Sequence, residues 1–256
     1  MLAANDLSIR RGRRMVVEGA TLAIEPGKLT AICGPNGAGK SSLLSALAGL
    51  LPEESGTAEL DGRAIAAIPP RERARTLGYL PQQADVAWDI SVETLVGLGR
   101  LPWRSVPGRP AWATREADAA AVAEAIHAME LEQLAHRPVS QLSGGEKARA
   151  AMARVLAGDP RWMLADEPLA SLDLAHQRRL IRQLRAEAER GRGVVVVLHD
   201  LAAAMNHADR VVVLDRGRIA ADGPPDKALA PDLIARVWQV EVSWTGSPGE
   251  RALIVI

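Results

Sequence analysis

The chain has 256 residues, between one and two domains in length, and its 48% hydrophobic and 24% charged residues are typical of a globular protein rather than a disordered or fibrous one. Thirty-one basic residues balance 31 acidic ones, so no overall field would attract nucleic acid or anionic lipid. The single cysteine, Cys33, excludes intramolecular disulfides and multi-cysteine metal clusters.

The first third of the chain alternates strand and turn signals. Residues 7–10 (LSIR) and 16–24 (VVEGATLAI) predict two antiparallel strands, which a turn at 25–28 separates from the buried strand Leu29–Cys33. A glycine-rich segment and a helical pattern closed by Pro52 follow. A hairpin (TAELDGRAI) and a further strand (TLGYL) then lead to Gln82.

Residues 83–157 carry helical patterns and no strand signal. Ser91 is the predicted N-cap of one helix and Thr114 of a second, with a long Pro- and Gly-rich loop over 99–112 between them. Strands and helices alternate again from WMLAD to VVVLD, and the last 25 or so residues predict a helix and a small hairpin. We therefore predict an α/β core formed by residues 1–82 and 158–256, with a helical subdomain, residues 83–157, inserted into it.

A phosphate-binding loop joins the buried strand to the first helix. Residues 34–41 fit G-x-x-x-x-G-K-[ST] and have the strand before and the helix after that this motif requires. Glycines let the backbone amides converge on phosphate oxygens at the positive end of a helix, while Lys40 reaches the β- and γ-phosphates and the Ser41 hydroxyl ligates Mg²⁺. The nucleotide-binding candidates are Gly34, Pro35, Asn36, Gly37, Ala38, Gly39, Lys40, Ser41 and Ser42.

Two carboxylates end the apolar strand WMLAD. Asp166 is a candidate Mg²⁺ ligand, and Glu167 is the candidate catalytic base that polarises the attacking water. Paired carboxylates at a strand end are often only an exposed loop, so their significance depends on the phosphate loop elsewhere in the chain.

The string Leu142, Ser143, Gly144, Gly145 and Glu146 is a capping box with two bare amides at a helix start. Together with the phosphate loop and the acidic strand end, it resembles the signature motif of the ATP-binding-cassette (ABC) ATPases, and the resemblance covers almost the whole chain. It implies a P-loop NTPase core with a mixed sheet of parallel strands and flanking helices, an N-terminal antiparallel β-subdomain and an inserted helical subdomain. It also implies ATP and Mg²⁺ as ligands, and a head-to-tail homodimer in which each signature motif completes the partner's site.

Further residues match the family's pattern. Gln82 resembles the glutamine that touches Mg²⁺, with Gln83 as its neighbouring alternative, and His199 resembles the switch histidine that holds the γ-phosphate and the attacking water. Ser171 and Asp173 resemble the D-loop that crosses the dimer interface. Arg11 stands where the family usually stacks an aromatic residue on adenine, and a flat guanidinium can stack there instead. The other four histidines are predicted at the surface: His127, His136, His176 and His207.

The resemblance favours a transporter subunit over a soluble ABC ATPase acting on nucleic acid or ribosomes. Only one cassette is present, and only 61 residues separate Gln82 from Ser143, too few for the long coiled coil of the DNA-repair type. Stretches such as VETLVGLGRLPW and DEPLASLDLAHQ resemble bacterial importers of iron chelates, haem or cobalamin, with zinc and manganese importers as the nearest alternatives.

An importer subunit implies partners at a membrane. No apolar run approaches the roughly 20 residues that span a bilayer, so we expect a peripheral subunit on the cytoplasmic face of the inner membrane. The expected partners are a permease dimer, which docks near residues 82–112, and, indirectly, a periplasmic or surface substrate-binding protein, but no nucleic acid. Trp103 stands where the group usually has histidine, and it either faces a partner or packs under its own loop.

Overall fold

The computed structural model describes residues 1–82, 89–104 and 111–256, with the backbone alone for 111–114. Gln83 and residues 105–110 of the predicted Pro- and Gly-rich loop therefore lie outside the described residues. Contacts divide the chain into two compact units. The first consists of Met1–Ile68, Leu164–Glu167 and Leu184–Ile256, and the second of Pro69–Met163 and Pro168–Gln183. The domain boundaries at residues 82 and 158 stay a prediction.

Strands and helices alternate along most of the chain, as the sequence predicts. The strands are β1 (Leu2–Arg11), β2 (Arg14–Ile24), β3 (Leu29–Cys33), β4 (Ser55–Leu60), β5 (Arg63–Ala64), β6 (Leu77–Leu80), β7 (Trp162–Asp166), β8 (Gly193–Val197), β9 (Arg210–Asp215), β10 (Arg218–Gly223), β11 (Val242–Thr245) and β12 (Ala252–Val255). The helices are α1 (Lys40–Leu47), α2 (Pro70–Thr76), α3 (Val92–Gly97), α4 (Ala111–Ala128), α5 (Gly144–Ala157), α6 (Leu174–Glu189), α7 (Leu201–His207), α8 (Pro225–Ala228) and α9 (Pro231–Trp238).

The first unit contains the predicted antiparallel sheet. Its strand order is β2-β1-β4-β5, with β1 antiparallel to both β2 and β4. Asp61 and Gly62 both have positive φ, of 50° and 78°, and form the two-residue turn between β4 and β5. Such turns match the twist of a hairpin, which explains the Asp-Gly pair at this position.

A second sheet of the first unit carries the phosphate loop. Strand β3 pairs in parallel with β8 on one side and β9 on the other, and β10 closes the edge antiparallel to β9. The sheet order continues from β8 to β7. Every residue of β3, β7 and β8 is buried, as expected of parallel strands with both faces covered. The predicted α/β fold class is confirmed.

Helices fill the described part of residues 89–157, and two local predictions there are wrong. The Ser91 hydroxyl accepts a hydrogen bond from the backbone N–H of Thr94, so the predicted N-cap of α3 is confirmed. Residues Leu98–Trp103, however, form a 3₁₀-helix rather than the start of a long loop. Helix α4 begins at Ala111 instead of after Thr114, because the last proline of this stretch is at 110 and nothing after it opposes helix.

The helix after the phosphate loop is shorter than predicted. Helix α1 ends at Leu47, since Gly49 takes a left-handed φ of 68° that cannot continue a helix. At the other end of the chain, α9 and the hairpin of β11 and β12 confirm the predicted helix and small hairpin. Among the described residues, no helix combines the length and apolarity needed to cross a membrane.

Candidate active site

The phosphate loop occupies the predicted place, at the carboxyl end of β3. Gly34, Gly37 and Gly39 all have positive φ, of 151°, 78° and 102°. A Cβ on Gly34 would collide with the carbonyl oxygen of Leu214, and one on Gly39 with that of Val16. At Gly34 and Gly39, therefore, both the backbone conformation and the close approach of neighbouring backbone require glycine. Asn36 and Gly37 are exposed at the tip of the loop, and Ser42 is buried in α1.

Lys40 lies under its own loop. Its ammonium group donates hydrogen bonds to the carbonyl oxygens of Gly34 (2.8 Å) and Pro35 (3.0 Å), and the residue is only 5% exposed. Burial lowers the pKa of Lys40, and the nearby carboxylate of Glu167 opposes that shift. A buried cation so close to the loop backbone is suited to holding phosphate oxygens.

Ser41 and Asp166 meet at the sheet edge. The Ser41 hydroxyl donates to Asp166 Oδ1 over 3.0 Å, and Asp166 is 4% exposed at the end of β7. Burial raises the pKa of Asp166, and the hydrogen bond from Ser41 partly offsets that rise. A hydroxyl beside a carboxylate is the hard-oxygen donor set that Mg²⁺ prefers, so these residues fit the ion.

Glu167 and His199 form a pair after two neighbouring strands. Glu167 Oε1 and His199 Nε2 are 2.5 Å apart, within reach of a hydrogen bond from the ring to the carboxylate. Glu167 has a φ of 51°, a conformation that non-glycine residues rarely adopt and that occurs at functional sites. The Glu167 side chain is 12% exposed and that of His199 is 44% exposed, so the pair lies at the border of solvent. The two residues can therefore orient a water molecule and accept its proton.

The second unit holds the signature string, in the predicted conformation. The Ser143 hydroxyl accepts from the N–H of Glu146 (3.3 Å), and Glu146 Oε2 accepts from the N–H of Ser143 (2.7 Å), which completes the capping box of α5. Ser143 and Gly144 are exposed, whereas Leu142 is buried. The start of α5 therefore presents backbone amides to solvent, as an anion site on a second molecule would require.

The D-loop residues lie beside that helix start. A Cβ on Gly145 would be 3.4 Å from the carbonyl oxygen of Ser171, so these two segments of the second unit are in contact. Asp173 Oδ1 accepts from the backbone N–H of His176, 2.9 Å away, and this bond lowers the pKa of Asp173. Gln177 Nε2 donates to the carbonyl oxygens of Leu169 and Leu172 and fixes the preceding turn.

Gln82 and Arg11 are both exposed. Gln82 follows β6 in the second unit, and its predicted contact with Mg²⁺ stays a prediction. Arg11 ends β1 opposite Arg14 in the first unit, and its predicted stacking on adenine likewise stays a prediction. Of the remaining histidines, His127 and His136 are exposed, whereas His176 and His207 are half-buried.

The sequence did not predict the contact that supports the phosphate loop, here called the Gly217 brace. The N–H of Gly217 donates to the carbonyl oxygen of Ala38 (3.0 Å), and the carbonyl oxygen of Gly217 accepts from the N–H of Glu18 (2.8 Å). Arg216 and Gly217 have positive φ in the turn between β9 and β10. The Arg-Gly pair after VVVLD signals that turn, but only the fold brings it to the loop.

Trp103 packs within its own unit. Its indole N–H donates to the carbonyl oxygen of Gly158 over 2.8 Å, and the guanidinium groups of Arg75 and Arg100 lie 5.4 and 5.1 Å from its ring. Arg100 is itself buried and bonds Asp118 and the carbonyl oxygen of Ala157. Of the two alternatives for Trp103, the structure supports packing under the loop.

Comparison with known proteins identifies the family of this chain. The sequence model of the ABC transporter family matches residues 17–170. Two relatives are each named hemin import ATP-binding protein HmuV. The one from Streptomyces coelicolor is 43% identical over 256 residues, 100% of this chain and 89% of the relative. The one from Rhodococcus jostii is 41% identical over 255 residues, 100% of this chain and 85% of the relative.

A similar solved structure is the dimeric post-hydrolysis state of the ATP-binding cassette MJ0796, bound to ADP and phosphate. It superposes with a TM-score of 0.76 at 25% identity, over 88% of this chain and 99% of that one. The fold, the matching family model and the phosphate loop all indicate the same family. The chain therefore belongs to the ABC transporter family and is the ATPase subunit of such a transporter.

Proposed function

We propose that this chain is the ATP-hydrolysing subunit of a bacterial haem importer. Two relatives named for hemin import align with the whole chain at 41–43% identity, which supports the cargo class. One observation carries the hydrolytic role: Glu167 Oε1 and His199 Nε2 lie 2.5 Å apart, and the charge of Glu167 acts on the buried ammonium of Lys40. A base beside a phosphate-binding cation is the arrangement that phosphoryl transfer to water needs.

The loop Gly34–Gly39 and Lys40 bind the triphosphate of ATP in this proposal. The backbone amides and the ammonium group hold the phosphate oxygens, and Arg11 stacks its guanidinium on the adenine. Because Lys40 bonds the carbonyl oxygens of Gly34 and Pro35, its ammonium lies at the loop before it takes up phosphate.

Ser41 and Asp166 hold Mg²⁺, with Gln82 as a further ligand. When bound, Mg²⁺ neutralises charge on the phosphate oxygens of ATP. The 3.0 Å hydrogen bond between the Ser41 hydroxyl and Asp166 Oδ1 supports this assignment, because it brings two hard-oxygen donors together.

Glu167 orients the attacking water and accepts its proton. His199 donates its ring N–H to Glu167 Oε1, which keeps the carboxylate oriented while the ring itself approaches the γ-phosphate. The His199 side chain is 44% exposed, which leaves it free to contact the γ-phosphate when ATP closes the dimer.

Two copies of the chain act as a head-to-tail dimer. The exposed start of α5 at Ser143 and Gly144, together with Ser171 and Asp173, completes the site of the partner copy rather than that of its own chain. A dimeric post-hydrolysis relative supports this arrangement. ATP closes the dimer, and hydrolysis reopens it.

The dimer works on a permease dimer at the cytoplasmic face of the inner membrane. The docking surface is the segment near residues 82–112, part of which lies outside the described residues. A periplasmic or surface binding protein delivers cargo to the permease and does not touch this chain.

Replacing the catalytic base tests the hydrolytic role. In Glu167→Gln, ATP still binds but the water has no base, so we expect hydrolysis to fall about 10²–10⁴-fold. The measurements are steady-state phosphate release, ATP affinity by calorimetry, and mass by light scattering, which should detect an ATP-trapped dimer.

The matched control is Glu189→Gln, an exposed carboxamide substitution at the end of α6, which should leave hydrolysis unchanged. Near-normal turnover in Glu167→Gln would overturn the assignment of the base.

The cargo has its own test. Cells that lack the chain should fail to grow on haem as the sole iron source yet grow on ferric salts. A growth defect that appears only under zinc or manganese limitation would instead identify a metal-ion importer.

A further inference from the structure

A cavity of about 300 Å³ lies entirely within the second unit, apart from the residues of the candidate active site. It forms where the end of α4 meets the middle of α5 and the first half of α6. The side chains that matter most here are Met129, Glu130, Arg149, Arg179, Leu180 and Arg182.

The cavity carries an excess of positive charge. Three lining arginines face one lining carboxylate, that of Glu130, which pairs with Arg179. Arg149 Nη1 donates to the carbonyl oxygens of Met129 (2.9 Å) and Glu130 (3.0 Å), so its guanidinium is held in place by acceptors that carry no net charge. Arg182 bonds the carbonyl oxygen of Arg178 and has no ion-pair partner among the described residues.

We propose that this cavity binds a small anion with two or more phosphate or carboxylate groups. Guanidinium groups match both kinds of group by paired hydrogen bonds, and Arg149 is already oriented by two carbonyl oxygens. Buried Met129 and Leu180 line the same space, so part of the cavity wall is apolar. The volume suits a small metabolite.

The cavity lies where a bound ligand would contact both α5 and α6. Arg149 lies on α5, whose start is the signature string, whereas Arg179 and Arg182 lie on α6, which begins directly after Asp173 of the D-loop. An anion held by all three arginines ties these two helices together. Because both helix starts contribute to the partner's site in the proposed function, occupancy alters the rate of ATP hydrolysis; this step, unlike the binding itself, rests on that function.

Methyl NMR of the full chain tests the binding. Met129 lines the cavity, so its ¹³C-labelled methyl group, assigned through Met129→Leu, reports on this site and separates it from anion binding at the phosphate loop. Inorganic pyrophosphate is titrated without Mg²⁺ at constant ionic strength, and tricarballylate is titrated in parallel to distinguish phosphate from carboxylate ligands. We expect a saturable shift of the Met129 resonance with at least one of the two.

Arg182→Gln and Arg178→Gln form a matched pair on one helix, with the same loss of charge but only Arg182 in the cavity. We expect Arg182→Gln to weaken binding about tenfold and Arg178→Gln to leave it unchanged. No saturable shift, or an equal loss in both variants, would overturn the site.

ATP hydrolysis provides the second readout. With the tighter-binding anion present, the rate should change in the wild-type chain and in Arg178→Gln but not in Arg182→Gln, whose basal rate stays close to that of the wild type. An equal change in all three overturns the regulatory step. A wild-type chain that hydrolyses no ATP refutes the proposed function, while the Met129 titration still decides the binding site.

Discussion

Asp166 is a buried carboxylate, and its burial disfavours the ionised form. Its pKa is raised by burial, so the folded chain binds the proton up to a higher pH than the unfolded chain does. The free energy of unfolding contributed by this group therefore falls as pH rises from the unfolded pKa through the folded one, and at neutral pH Asp166 destabilises the fold. In the proposed function, this carboxylate is a ligand of Mg²⁺.

We predict that Asp166→Asn stabilises the chain when Mg²⁺ and nucleotide are absent. Asparagine keeps an acceptor for the Ser41 hydroxyl and removes the buried charge. The unfolding midpoint at pH 7 should rise by about 3 °C, the shift expected of about 1 kcal/mol in a chain of this length. The measurement is thermal unfolding in EDTA, and the gain should shrink towards acid pH.

Asp173→Asn is the control of opposite sign. A hydrogen bond from the backbone N–H of His176 lowers the pKa of Asp173, so this exposed carboxylate stabilises the fold at neutral pH. Its replacement should not raise the midpoint. A midpoint for Asp166→Asn at or below the wild-type value would contradict the prediction.

At the scale of single residues, the sequence predicts those whose motif lies within a few consecutive positions. The loop residues 34–41, the Ser143–Glu146 capping box and the Asp166–Glu167 pair are all recognisable, because each motif is local. The Glu167–His199 contact and the Gly217 brace are not, since they depend on strands that are far apart in the chain and adjacent in the sheet.

Among the elements, the 3₁₀-helix Leu98–Trp103 differs most from its prediction. Its one glycine and one proline favour a loop, but Trp103 and Arg100 fix it to the end of α5 through the carbonyl oxygens of Gly158 and Ala157. Tertiary contacts thus override a local signal. Strands β3 and β7, by contrast, have the predicted bounds, because a short fully apolar run between turn signals has few alternatives.

We predict that Trp103→Ala lowers the free energy of unfolding by about 3 kcal/mol, since it removes a hydrogen bond, two cation–π contacts and a large packed ring. Trp103→Phe keeps a ring beside Arg75 and Arg100 and should cost about 1 kcal/mol. Urea unfolding gives both values. If Trp103→Ala impaired transport but left stability unchanged, Trp103 would be a partner contact instead of a packing residue.

At the scale of the whole molecule, the residues proposed to catalyse hydrolysis and those of the proposed signature motif belong to different units. Lys40, Ser41, Asp166, Glu167 and His199 lie in the first unit, while Ser143 and Ser171 lie in the second. In a head-to-tail dimer, each site contains residues of two chains. Pairing two chains with different defects can therefore place both defects in one site and leave the other site intact.

We predict that mixing Glu167→Gln with Ser143→Arg restores hydrolysis. In the mixed dimer both defects fall in one site and the other site is intact, so random pairing should restore about a quarter of wild-type activity. Each variant is assayed alone and after mixing. Mixing Glu167→Gln with the double variant gives no intact site and serves as the control; equal activity in the two mixtures would contradict the trans arrangement.

The position of β3 also bears on how the chain is made. The strand that carries the phosphate loop lies between β8 and β9, and the loop is braced by Gly217, so its neighbours are synthesised more than 150 residues after it. On the ribosome, the early part of the chain cannot complete this sheet until β10, which ends at residue 223, has emerged. A chain that stops before β10 therefore lacks the framework for the nucleotide site, and we expect it not to bind ATP.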